Sequence, residues 1–101
     1  MEINLINRKV VVDFDYDFVD EDMVWGMAKV QKLKIVINKV ISPIEKQRTL
    51  VHELIHMMDA GNNGIKDLTE AQTEHLSNEL LYFLRNNNEV FTYLNSRVDT
   101  E

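Results

Sequence analysis

The stretch SPIEKQRTLVHELIHMMDAG, residues 42–61, carries the signals of one long helix, including its start and its end. Ser42 can cap the N-terminus, Pro43 suits the first helical position, and Glu45 stands where a capping box has its acidic residue. At about 100° per residue the apolar side chains share one broad arc: Ile44, Leu50, Val51, Leu54, Ile55, Met57 and Met58. Gly61 and Gly64 can adopt the positive φ that ends a helix. We therefore predict a helix from about residue 43 to residue 60.

The residues before this helix alternate as strand residues do. In KVVVDFDYDF, residues 9–18, one face carries apolar side chains and the other mostly aspartate. The apolar face consists of Val10, Val12, Phe14, Tyr16 and Phe18. Two further strand candidates, VWGMAKV (24–30) and KLKIVINKV (32–40), meet at a turn around Gln31 and Lys32. We predict a small antiparallel sheet of about three strands within residues 1–41.

Helical signals return in KDLTEAQTEHLSNELLYFLRNNN, residues 66–88. Asp67 or Thr69 can cap this second helix, with Glu70 or Gln72 three residues further on. Its predicted core arc contains Leu76, Leu80, Phe83 and Leu84. A short third helix is expected within EVFTYLNSRV, residues 89–98. The predicted fold class is α+β, one domain over residues 1–101 with the helices in residues 42–101.

The first helix carries His52, Glu53 and His56 in the order H-E-x-x-H. Histidines four residues apart share one helix face, so both imidazoles can reach one ion at roughly 2.0–2.1 Å. Glu53 projects about a quarter-turn away, where it can reach a water on the ion but not the ion itself. Both histidines lie opposite the apolar arc, so the alternative is a solvated face with two histidines by chance. The mid-helix position of the motif favours a zinc site.

A zinc site of this kind needs a third ligand from elsewhere in the chain. The continuation H-E-x-x-H-x-x-G-x-x-H of the metzincins is excluded, because Asp59 occupies the glycine position and Asn62 the last histidine position. The alternative is a side chain from a following antiparallel helix. The candidates on the second helix are Glu70, Glu74, His75 and Glu79.

The helical positions of these candidates rank them. His75 and Glu79 turn away from the predicted core arc, whereas Glu70 and Glu74 lie at its border. A glutamate in the first turn, such as Glu70, is common because it complements the helix dipole. We therefore favour Glu74 as the third ligand and keep Glu70 as the alternative.

Zinc-bound histidines nearly always hydrogen-bond a further residue through their other ring nitrogen. Asn78 lies one turn after Glu74 and can accept such a bond, or it is an exposed helix asparagine. Asp59 is a similar candidate on the first helix, where it can instead cap the helix end or face water.

At this point the sequence resembles a known family. QRTLVHELIHMMD (47–59) and TEAQTEHLSNELLYFLRNN (69–87), with the preceding WGMAKVQKLKIVIN (25–38), resemble small zinc metallopeptidases of the ImmA/IrrE-like or minimal gluzincin kind. These proteins are common in phages and other mobile elements of bacteria. The resemblance implies a zincin-like fold, a third ligand at Glu74 with Asn78 one turn later, and an intracellular protein as substrate.

The resulting hypothesis is a zinc-dependent metallopeptidase with one zinc ion per chain. Glu53 would take a proton from the zinc-bound water and pass it to the leaving amine. By the same resemblance, an extended substrate would add to the sheet edge near Gly26–Val30. The alternative is an inactive or latent zinc module that acts through protein–protein interaction, with Asp99 or Glu101 of the tail on the metal. A homo-oligomer or a partner domain would then complete the cleft.

Composition excludes several other classes of protein. The net charge of −6, from 11 basic and 17 acidic residues, argues against a nucleic-acid partner. With no cysteine, zinc would be held by nitrogen and oxygen alone. No apolar run is long enough for a membrane span and the start lacks a secretory signal, so the cytoplasm is the expected location. DFDYDFVD, residues 13–20, begins like a calcium loop but lacks its glycine and its final glutamate.

Overall fold

A four-stranded sheet and three helices make up the protein. The computed structural model describes residues 1–16, 25–61 and 65–96. The strands are β1 (Glu2–Leu5), β2 (Arg8–Tyr16), β3 (Gly26–Lys29) and β4 (Lys34–Asn38). The helices are α1 (Pro43–Ala60), α2 (Glu70–Asn86) and α3 (Asn88–Leu94), and a 3₁₀ turn, Val30–Lys32, joins β3 to β4. Phe18, Gly64, Asp99 and Glu101 lie outside the described residues.

The sheet is mixed, with the order β1-β2-β4-β3. β1 and β3 run antiparallel to their neighbours, but β4 lies between β2 and β3 and runs parallel to β2. We predicted an antiparallel sheet of about three strands. The sheet instead has four strands, and one neighbouring pair, β2 and β4, is parallel. Alternating apolar residues identify a strand, but they do not say which strands become neighbours. The uninterrupted apolar run Ile35–Ile37 is typical of a central strand covered on both faces, and these residues are fully buried.

The additional strand is β1, which forms a hairpin with β2. Its register pairs Glu2 with Val11 and Leu5 with Arg8, which leaves Ile6 and Asn7 as the turn. Asn7 has a φ of 60°, the left-handed conformation that asparagine tolerates better than most residues. That asparagine between two apolar runs was the available sequence signal.

The core lies between one face of the sheet and α1. Val10 and Val12 of β2 and Ile35 and Ile37 of β4 form a buried cluster with Met57 of α1. Leu50 and Leu54, spaced one turn apart on α1, pack against this cluster. The predicted apolar arc of α1 therefore fixes how the helix sits on the sheet, and so where its other face points.

The ends of α1 are those that the sequence predicts. The hydroxyl of Ser42 accepts a hydrogen bond from the Glu45 N–H at 3.3 Å, and Pro43 is the first helical residue. Gly61 follows Ala60 with a φ of 56°. Both helix signals act through local geometry, which explains why they can be recognised without knowledge of the fold.

The second helix packs by a different face from the predicted one. Thr73 and Ser77 are the buried residues of α2, whereas Leu76 is 46% exposed and Leu84 is 37% exposed. The predicted core arc is therefore wrong for Leu76 and Leu84, while Leu80 and Phe83 are partly buried, and the fully packed positions are the small, polar Thr73 and Ser77. Within the described residues, no helix is both long and apolar enough to span a membrane.

Candidate metal centre

The two histidines of α1 project from the helix flank that faces α2. His56 is 5% exposed, and the side chain of His52 is 17% exposed. Their Nε2 atoms lie 3.1 Å apart, and their rings meet edge to face. Burial lowers the pKa of His56, which favours the neutral ring that can bind a metal ion. The Glu70 carboxylate opposes that shift.

Glu70 brings a carboxylate to both histidine rings. Its Oε2 lies 3.2 Å from Nε2 of His52, and its Oε1 lies 2.8 Å from Nε2 of His56. The capping box of α2 holds Glu70 in the first turn, since Thr69 and Gln72 exchange hydrogen bonds at 2.9 and 3.1 Å. The side chain of Glu70 is 76% exposed, so the group is open to solvent on this side.

These three side chains could hold one metal ion. Their ligand atoms all lie within 4.8 Å of one another. A tetrahedral site with bonds of about 2.0–2.1 Å has ligand atoms about 3.3 Å apart. The two Nε2 atoms are 3.1 Å apart, and each lies 2.8–3.2 Å from a different oxygen of Glu70, so a small shift of the carboxylate would give that spacing. Ring nitrogens and a carboxylate that converge in this way repel one another unless a cation or shared protons lie between them. The residues therefore fit a metal ion.

Glu74 contacts the other side of the His52 ring. Its Oε2 lies 2.8 Å from Nδ1 of His52, so the Nδ1–H of the ring donates to the carboxylate. This bond leaves the lone pair of Nε2 free to face Glu70. It is the arrangement in which a carboxylate orients a metal-binding histidine.

The structure therefore differs from the ranking of the two glutamates on the second helix. Glu70 joins the histidine Nε2 atoms, while Glu74, favoured from the sequence, meets the outer ring nitrogen of His52. The reason lies in the packed face of α2, which centres on Thr73 and Ser77 instead of the leucines. Relative to the predicted orientation, α2 is rotated about its own axis, and its first turn, with Glu70, lies over the histidines. His75 and Glu79 are exposed, as predicted.

Glu53 lies beside the histidines but is turned towards the sheet. It is 7% exposed, and its Oε2 has no hydrogen-bond partner among the described residues. Burial raises the pKa of Glu53, while the neighbouring His52 and a hydrogen bond from the Ala28 backbone N–H oppose that rise. A carboxylate kept partly desolvated in this way suits repeated gain and loss of a proton.

Asn78 and Asp59 were the predicted hydrogen-bond partners of the histidine rings. Among the hydrogen bonds of the described ranges, neither residue contacts His52 or His56. Asp59 instead accepts the N–H groups of Asp67 and Leu68, at 3.2 and 2.9 Å. It therefore ties the C-terminal end of α1 to the segment that leads into Glu70.

The edge strand β3 runs close to the site. A Cβ atom built on Gly26 would lie 2.5 Å from Cγ2 of Thr49 and 3.0 Å from the carbonyl oxygen of Val36, so the glycine permits this approach. The Asn38 N–H donates a hydrogen bond to the Trp25 carbonyl, so the backbone groups of Trp25 face β4. Along an antiparallel pair, every second residue of a strand faces its partner strand in this way, and the residues between face away. Gly26 and Ala28 therefore turn their backbone groups towards the open edge of the sheet.

A cleft of about 960 Å³ extends from the metal group between α1 and α2. Its walls include the edge strand at Gly26, the site residues His52, Glu53, Glu70 and Glu74, and Asn78. The volume falls in the range of about 300–1,000 Å³ typical of binding sites. The candidate metal centre thus opens directly into this cleft.

Comparisons of this chain with protein-family models, with curated proteins and with solved structures find no match. What can be stated of its class comes from the site and the architecture: an α+β domain with a candidate His-His-Glu metal group between two antiparallel helices.

Proposed function

We propose that the protein is a zinc-dependent peptidase of the gluzincin kind, with one ion held by His52, His56 and Glu70. The observation that carries the proposal is the convergence of two Nε2 atoms and a carboxylate beside a buried glutamate, at the mouth of a cleft. Imidazole and carboxylate ligands suit zinc, and no cysteine is present to favour a softer metal. Glu74 would orient His52 through its Nδ1–H.

Zinc in such a site supplies Lewis acidity, which lowers the pKa of a water and polarises a carbonyl. The protein's own contribution is proton transfer by Glu53. Its carboxylate takes a proton from the attacking water and delivers it to the amine of the broken peptide bond. Its burial supports this role, because desolvation keeps the carboxylate basic enough to accept that proton.

The position of β3 supports a peptide as the substrate. The outward backbone groups of Gly26 and the carbonyl of Ala28 offer an extended chain the hydrogen bonds of an additional strand. The Ala28 N–H already contacts Glu53, so a strand added at this edge would pass in front of the general base. Natural substrates are proposed to be intracellular proteins with an accessible extended segment.

The test combines metal analysis with cleavage. Wild-type protein purified without chelator should contain one zinc per chain by elemental analysis and should cleave unfolded protein substrates. The Glu53→Gln variant should retain the zinc and lose cleavage, because the neutral amide that replaces the carboxylate cannot accept the proton. No zinc in wild type after it is added back would overturn the proposal.

A second candidate function is a zinc module that binds another protein without cleaving it. The exposure of the Glu70 side chain favours it, since a partner chain or a second copy could close the open side of the cleft. Zinc binding without cleavage of any substrate, with a stable complex instead, would support this candidate over the peptidase.

A further inference from the structure

The cleft continues well beyond the metal group, along the groove between α1 and α2. Beyond the metal group its lining includes Arg48 of α1, Tyr82 and Arg85 of α2, and Trp25 on the sheet side. The two helices run antiparallel, since Glu70 meets the middle of α1 whereas Arg85 hydrogen-bonds Gln47 near its start. The groove therefore leads from the metal group towards the N-terminal end of α1.

Charge is divided between the two ends of this groove. The lining carboxylates belong to Glu53, Glu70 and Glu74, all beside the metal group. The two lining guanidinium groups belong to Arg48 and Arg85, at the other end. Among the described residues neither arginine forms an ion pair, and the Gln47 partner of Arg85 is neutral. Two arginines without an ion-pair partner among the described residues, one from each helix, therefore line the same cleft in a protein whose net charge is −6.

The helix dipoles do not account for both arginines. Arg85 lies in the last turn of α2, where a cation complements the dipole. Arg48 is in the second turn of α1, beyond the first turn where the dipole acts, so the dipole does not explain its position. An anion bound in the groove would satisfy both groups, and guanidinium forks match carboxylate geometry.

Helix geometry sets the distance of this end from the metal group. Arg48 precedes His52 by one turn, or about 6 Å along α1, and Arg85 follows Glu74 by about 16 Å along α2. An extended peptide advances about 3.3 Å per residue. The two arginines therefore lie along the stretch of an extended peptide that is about two to five residues from a bond placed at the metal group. Trp25 and Tyr82, which are 42% and 69% exposed, offer aromatic surface to the peptide residues that lie between the metal group and the arginines.

We infer that the arginine end of the cleft binds a carboxylate of an extended peptide, through Arg48 and Arg85. The inference rests on the proposed function in one respect, that the carboxylate lies about two to five residues from the bond that is cleaved. It names the substrate class of the same site: peptides with an acidic side chain, or a free C-terminus, at that distance.

The experiment measures binding separately from cleavage. Zinc-loaded Glu53→Gln protein is immobilised and offered pools of short, acetylated peptides, and mass spectrometry identifies those retained. One amidated pool carries a single Asp or Glu at varied positions, a second carries Asn or Gln instead, and a third repeats the second with a free C-terminus. We expect the carboxylate-bearing peptides to be retained about 3–10-fold better than the neutral ones.

Variants assign the preference to the arginines. Arg48→Gln and Arg85→Gln should each reduce it, and the double variant should abolish it while the neutral peptides are retained as before. Lys9→Gln removes one positive charge on β2, outside the cleft lining, and should leave the preference unchanged. The matched control is needed because the net charge of the protein alone would repel acidic peptides.

Each outcome bears on one proposal or the other. Equal retention of acidic and neutral peptides, retention of none, or a preference that survives in the double variant would overturn the inference. A preference for the first or the third pool supports it and identifies the carboxylate as a side chain or the C-terminus. If the preference is found but protein with Glu53 intact cleaves none of the retained peptides, the peptidase proposal fails and carboxylate binding stands.

Discussion

The Nδ1 atom of His52 lies 2.8 Å from Oε2 of Glu74, on the opposite side of the ring from the Nε2 atom that faces Glu70. One imidazole therefore connects two glutamates from successive turns of α2. Their positions give them different tasks, because only Glu70 also reaches His56. Glu70 is placed to bind the ion, and Glu74 is placed to orient the ring that binds it.

The first prediction separates these two tasks. Glu70→Ala should weaken zinc binding by more than about 100-fold, since it removes a ligand, whereas Glu74→Ala should weaken it by about 10–100-fold. Competition with a chromophoric zinc chelator measures both affinities. Glu79→Ala, an exposed glutamate on the same helix, is the control and should bind zinc like wild type. A larger loss in Glu74→Ala than in Glu70→Ala would reverse the assignment.

The second prediction concerns the buried carboxylate of Glu53. In metal-free protein, Glu53→Gln should raise the free energy of unfolding at neutral pH by about 1 kcal/mol, because a desolvated charge with an unpaired oxygen is removed. Urea unfolding in the presence of chelator measures the change. Lower stability of the variant would show that the ionised carboxylate is well accommodated.

This stabilisation should depend on pH in a defined direction. Burial raises the pKa of Glu53 in the folded state above its ordinary value of 4.5. As the pH rises above that value, the unfolded chain releases its proton first, so wild type loses stability relative to Glu53→Gln until the pH has passed the folded pKa. Below pH 4.5 the two proteins should differ little in their pH dependence. A gap that widens towards acid pH would contradict the raised pKa.

The third prediction tests the close approach of β3 and α1. Gly26→Ala should destabilise the protein by about 1–3 kcal/mol, because the new methyl group would lie 2.5 Å from Cγ2 of Thr49. Thr49→Ser removes that methyl group, so the double variant should recover part of the loss. A double-mutant cycle from chemical unfolding measures the coupling. Additive effects would mean that the Val36 carbonyl, or the strand itself, carries the whole penalty.

The fourth prediction concerns Asp59, which joins the end of α1 to the start of α2. Asp59→Ala leaves the N–H groups of Asp67 and Leu68 without their acceptor, and should cost about 1–2 kcal/mol of stability. It should also weaken zinc binding, since Glu70 follows this segment directly. Asp67→Ala, whose backbone N–H still reaches Asp59, is the matched control. Thermal unfolding and zinc titration of both variants give the comparison.

Local signals in the sequence predict the span and both ends of α1, although Ile44 and Met58 of its predicted apolar arc are 46% and 48% exposed. Ser42, Pro43 and Gly61 act on their own helix ends, and the H-E-x-x-H spacing fixes His52 and His56 on one face whatever packs around them. The pairing of strands that are distant in the sequence could not be predicted from such local signals. Nothing in the alternation of β2 says that β4 will lie beside it, in parallel.

The candidate third ligand illustrates the same limit. Glu70 and Glu74 are one turn apart, and the choice depends on a rotation of α2 that its leucines misrepresent. Thr73 and Ser77 carry no strong hydrophobic signal, yet they form the packed face. The polar residues of a helix–helix contact can be recognised as such only once the partner helix is known.

The position of β4 between β2 and β3 has a consequence for the order in which the protein can fold. During synthesis β2 emerges before β4. The backbone groups of β2 that pair with β4 therefore stay without their partner strand until about twenty more residues have been made. The β3–β4 hairpin is local and can form first, after which it joins β2 as a unit. The histidines follow β4 in the chain, and their helix packs on a sheet that is then complete. The residues of the candidate metal group therefore emerge from the ribosome only after all four strands have been made.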